Sequence, residues 1–142
     1  MNGRLLYLSF CICLGALGLS KVSFAQTITI SALSSNSICA GMGGSFFVPF
    51  STTGAFTAGN TFTAQLSDAN GVFSGTTLTI GTLRVSPQTA ATNTITVTIP
   101  STLVASSNYK IRVISSTPSR TSTNSQSVFL NAPPSQPTVT VP

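Results

Sequence analysis

"TITVTIPSTLVASSNYKIRVIS", residues 94–115, decides the fold class. In its first part Ile95, Val97 and Ile99 alternate with Thr94, Thr96 and Thr98. Successive side chains of an extended chain point to opposite faces, so this alternation makes one apolar face and one hydroxyl face. In its last part Tyr109, Ile111 and Val113 share one face, and Lys110, Arg112 and Ile114 take the other. The two strands are expected to form a hairpin-like core pair, with a link from Pro100 to Asn108 long enough to cross between sheets. Ile95, Val97 and Ile99 should then meet Ile111 and Val113.

The same period runs outward from this stretch. "TFTAQLS" (61–67) alternates Phe62, Ala64 and Leu66 with polar residues. Weaker strands are expected in "TITISAL" (27–33), "SFFVPFS" (45–51), "TTLTIGTL" (76–83) and "QSVFLN" (126–131), separated by Gly-, Asn- and Ser-rich turns. No stretch carries a helical stripe, and the abundance of Thr and Ser favours strands and turns. Seven short strands in a domain near 100 residues predict an all-β fold, an antiparallel β-sandwich of immunoglobulin-like type spanning residues 26–131. Leu103 precedes Tyr109 by six residues at a strand entry, the arrangement of a tyrosine corner. Pro49 lacks a backbone donor and is expected at an edge or a bulge.

The ends read differently. Arg4, the apolar run from Leu5 to Leu19 and "SFA" (23–25) form the three parts of a secretory signal peptide, residues 1–25. The run falls short of the roughly 20 residues that span a bilayer, so no membrane span is expected after cleavage. "NAPPSQPTVTVP" (131–142) carries four prolines, and residues 132–142 read as a Pro-rich linker or tail. Between the ends, Arg84, Lys110, Arg112 and Arg120 face the single carboxylate Asp68. These cations are dispersed, unlike the basic face of a nucleic-acid binder.

Two longer segments, "SICAGMGGSFFVPFSTTGAFTAGNTFTAQLSDANGVF" (37–73) and "TITVTIPSTLVASSNYKIRVISSTPS" (94–119), carry a resemblance. Their Cys-Ala-Gly start, "VPF" strand, "GNTFTAQLSD" run and later "YKIRVISSTPS" resemble the immunoglobulin-like repeats of large secreted and cell-surface proteins of Gram-negative bacteria that use type IX secretion. The resemblance implies a fold and an exported location: periplasm, cell surface or extracellular. Those relatives carry several repeats and a C-terminal sorting domain, where this sequence has one repeat and no such domain; delivery to the periplasm is the expectation.

The inventory of reactive groups is short. The chain has no histidine and one carboxylate, and Lys110 and Cys39 are the lysine and cysteine beyond residue 25. A nucleophile needs a base or metal beside it, so no enzyme, catalytic residue, metal site or cofactor is expected. "SDANG" (67–71) has the look of a calcium loop but lacks the further carboxylates such sites use. It reads instead as a turn, with Asp68 and Asn70 bonding the backbone and Gly71 at positive φ. Lys110, out of phase with Tyr109 and Ile111, should face solvent and form no isopeptide bond. Cys39 is expected to be a small buried side chain, the alternative being a disulfide to another chain.

These readings lead to a non-catalytic secreted module, a spacer or adhesion unit of a bacterial surface protein. Its partners would be neighbouring domains or copies of itself, and its hydroxyl-rich faces suit glycans. The alternative is a carbohydrate-binding module of a secreted polysaccharide-degrading enzyme. That reading needs at least two of Phe47, Phe56, Phe73 and Phe129 coplanar on one surface. A third route is strand exchange through "PTVTV" (137–141).

Overall fold

The computed structural model describes residues 25–75, 77–85 and 89–135, and these form strands and turns without a helix. The expected signal segment, apart from Ala25, and the "PTVTV" strand lie outside the described residues. In chain order the strands are β1 (Thr27–Ile30), β2 (Ser37–Cys39), β3 (Gly44–Thr53), β4 (Thr61–Leu66), β5 (Leu78–Arg84), β6 (Ala91–Ile99), β7 (Ser106–Ser116), β8 (Ser119–Thr121) and β9 (Gln126–Asn131). One sheet has the order β1-β3-β6; the other runs β2-β9-β7-β4-β5, with β8 added to β7.

The alternating faces close on each other. Val48, Phe50, Ile95 and Val97 from the first sheet and Phe62, Ala64, Ile111 and Val113 from the second are fully buried in one core. Across the interface Phe50 and Phe62 meet edge to face with centroids 4.9 Å apart, and Phe56 adds a second such contact to Phe62 at 5.1 Å. Edge-to-face geometry suits the ring quadrupoles and adds about 0.5–1.5 kcal/mol per pair to the area buried.

Several expectations change. β6 and β7 do not pair as a hairpin: β6 lies beside β3 and β7 lies between β4 and β9, while the link between them crosses from one sheet to the other as expected. The second sheet is not purely antiparallel, because β2 pairs with β9 in parallel, Cys39 facing Asn131. The cause is the path of the entering chain. It leaves the first sheet after Ile30 and joins the second running in the same direction as the last strand. β2 and β8 raise the count from seven to nine among the described residues.

Pro49 lies in the central strand of its sheet, and the β3–β6 register passes it unbroken, so it is neither at an edge strand nor at a bulge. Its carbonyl accepts from Ser31 N at 2.9 Å, one residue past the end of β1. The donor it lacks lies on that same side, facing Ser31, so its absence falls where β1 ends and leaves the β3–β6 ladder intact. A bulge does occur in β5, where Ile80 is the extra residue between the pairs Ala64–Gly81 and Gln65–Thr79. There the two sheets approach closely: a Cβ on Gly81 would stand 2.4 Å from the Thr96 carbonyl oxygen.

The entering and leaving segments run side by side along the molecule. Arg120 bonds Gln26, Thr123 bonds Ile28, Asn124 brackets Ile30, Phe129 N bonds Asn36 O, and Ala40 N bonds Asn131 O. Residues 26–40 and 120–131 thus advance together. The chain enters beside Arg120 and leaves beside Ala40, at opposite poles.

Candidate functional site

The outer face of the second sheet holds an open cleft. β7 is covered along one side by β4, but its other side is shared by β8 at Ile114–Ser116 and β9 at Ser106–Ile111. Between those two partners the chain leaves the sheet as a loop, and beside the gap stands Arg112. The result is an open cleft of 260 Å³ lined by Phe73, Arg112 and residues 121–125.

Arg112 is fixed from two directions. Its Nε donates to Gln65 Oε1 at 2.9 Å, its directly opposed partner on β4, and its guanidinium carbon lies 4.5 Å from the centroid of the Phe73 ring. The wall is equally fixed. Ser122 Oγ accepts from Val113 N and donates to Asn124 O, Thr123 N donates to Ile28 O, and Asn124 spans both backbone groups of Ile30.

Phe73 comes from the "SDANG" turn and the segment after it. Asp68 Oδ1 accepts from Asn70 N at 3.0 Å and from Val72 N at 2.8 Å, and Gly71 has φ of 82°. The turn therefore forms as expected: the carboxylate satisfies backbone donors and sets the exit direction toward Phe73. A Cβ on Gly71 would lie 2.7 Å from Asn108 O, so only glycine fits.

The other sequence-singled residues do not converge on the cleft. Lys110 is exposed as expected. Cys39 is exposed, not buried: Ile38 turns inward and Ala40 is buried, so the residue between them must face out. Tyr109 is buried at 3% exposure, yet among the described residues nothing hydrogen-bonds its hydroxyl, so the tyrosine-corner bond is not made. Burial raises its pKa above the ordinary phenol value, and the nearby charge of Asp68 raises it further.

The sugar reading needs two of four rings on one surface, and these four divide between the core and the two sheets. Phe56 is in the core, Phe47 is 58% exposed on the outer face of the first sheet, and Phe73 and Phe129 are half-buried on the second. One face of Phe73 is already covered by Arg112. Among the described residues no group of three or more His, Cys, Asp or Glu side chains comes together, and no helix is long and apolar enough to cross a membrane.

Sequence reasoning left Arg112 and Phe73 as separate residues 39 positions apart. The available signal was weak: an arginine on the outward phase of a strand, and a phenylalanine following a polar turn.

No family model and no curated protein matches the chain. Among solved structures the chain is similar to Spo0M, a sporulation control protein from Bacillus subtilis, with a TM-score of 0.43 and 13% identity. The match covers 77% of this chain and 50% of that one, so the chain spans about half the length of Spo0M. A likeness this distant carries nothing over to function.

Proposed function

We propose that the chain is a non-catalytic, exported immunoglobulin-like module that serves as a spacer or adhesion unit of a bacterial surface protein. The observation that carries this reading is the side-by-side course of residues 26–40 and 120–131, which puts entry and exit at opposite poles. Copies or neighbours joined through such ends follow one another in line, as a spacer requires. The immunoglobulin-like assignment is supported by strand order. On this reading the β1-β3-β6 order corresponds to strands A, B and E, and the β9-β7-β4 order to G, F and C. Export rests on the signal sequence, and the non-catalytic reading on the missing bases and acids.

Small-angle scattering of two copies joined through the 132–142 segment tests the spacer reading. An in-line pair has a maximum dimension close to double that of one copy. A pair folded side by side, with little increase in length, would overturn it.

A further inference from the structure

We propose that the cleft beside Arg112 binds the carboxylate of a uronic-acid unit in an acidic polysaccharide. This site is separate from the spacer reading and does not depend on it.

Arg112 carries a charge that no side chain of opposite sign matches among the described residues. Among the described residues nothing accepts from the terminal nitrogens of Arg112 and no carboxylate pairs with it. Asp68, the sole carboxylate side chain of the protein, accepts at Oδ1 from the amides of Asn70 and Val72. The Arg112 side chain is nevertheless half-buried, and its guanidinium is held in one orientation by Gln65 and Phe73. Holding the group costs rotamer freedom in the free protein, so less is lost when a ligand arrives. A planar guanidinium with its outer edge unoccupied matches a carboxylate through two parallel hydrogen bonds.

The rest of the cleft selects a hydroxylated ligand. Besides Arg112 and one edge of Phe73, its lining is Thr121, Ser122, Thr123, Asn124 and Ser125. Ser122, Thr123 and Asn124 are engaged in holding the loop, whereas among the described residues the Thr121 and Ser125 hydroxyls have no partner. Each hydroxyl both donates and accepts, which suits the hydroxyls of a sugar ring. The volume of 260 Å³ is just below the roughly 300–1,000 Å³ of pockets for drug-sized ligands, so one ring-sized unit fits. The openness of the cleft lets a polymer continue on either side. A glutamate-rich peptide presents the same carboxylate without the ring hydroxyls that Thr121 and Ser125 would meet, so the hydroxyl pair favours the sugar acid.

The test is a titration of the full chain with oligogalacturonate, followed by amide and arginine Nε–H resonances and by calorimetry. The proposal predicts saturable shifts at Arg112, Thr121 and Ser125, absent with the neutral galactose oligomer. Arg112→Lys, which keeps the charge but loses the fork, should weaken binding at least fivefold, and Thr121→Val with Ser125→Ala should weaken it about threefold. Arg84→Gln, a cation at the end of β5, should leave it unchanged.

Any of four outcomes overturns the proposal. They are equal response to the neutral oligomer, equal loss in Arg84→Gln, shifts confined to other surfaces, or binding of a glutamate-rich peptide where oligogalacturonate fails. Should Arg112→Lys lose its fold, the hydroxyl pair alone still decides, because those two side chains hold nothing else in place.

Discussion

At the residue scale, Tyr109 shows how burial and bonding come apart. The ring is packed in the core, but its hydroxyl makes no hydrogen bond among the described residues. Tyr109→Phe should therefore change stability at neutral pH by less than about 0.5 kcal/mol, since no bond is lost. Alkaline pH separates the two proteins. The folded-state pKa of Tyr109 is raised, so the unfolded chain releases the proton first. The stability linked to this group is present below about pH 10 and falls as pH rises through the higher folded value. Denaturant unfolding between pH 9 and 11 should show a steeper loss in the unsubstituted protein than in Tyr109→Phe; parallel curves would count against it. Cys39, being exposed, should react with a maleimide in the native state at the rate of a free thiol. It should also give a disulfide-linked dimer in oxidising buffer that Cys39→Ser abolishes. Labelling that waits for denaturant would show a buried thiol instead.

At the element scale, the two sheets approach closely at Gly81, in the bulge of β5. Gly81→Ala drives a methyl group against the Thr96 carbonyl and the side chains of Ile95 and Val97. Backbone cannot yield as a side-chain tip can, so the cost should reach the upper end of the roughly 1–3 kcal/mol typical of overpacking. Thr96→Ala, whose side chain faces solvent, should cost under about 0.5 kcal/mol. Thermal or denaturant unfolding of the two variants makes the comparison, and equal costs would refute the close approach. Which elements could be read from sequence follows from how many inward side chains each supplies. β4, β6 and β7 each have three or more, and their alternation stands out. β2 turns only Ile38 inward and β8, "SRT", turns in nothing, so neither leaves a periodic trace. The parallel pairing of β2 with β9 had no local signal either. It depends on where the chain crosses between sheets, a property of the path and not of any stretch of residues. The cleft was illegible for the same reason: Gln65, Phe73, Arg112 and the 121–125 loop meet only through the pairing of β4, β7 and β8.

At the scale of the whole molecule, the account rests on the parallel course of the first and last segments. Tension applied at Gln26 and Asn131 pulls those segments past each other. The hydrogen bonds from Arg120–Gln26 to Ala40–Asn131 are then loaded together, and the core between the sheets must yield with them. Tension between Cys39 and Asn131 acts at one end of the same pairing and opens its bonds in turn. Single-molecule pulling in both geometries is the most direct test. The account predicts one cooperative rupture per copy from residues 26 and 131, at a clearly higher force than from residues 39 and 131. Equal forces, or gradual extension from residues 26 and 131 without a rupture, would contradict it.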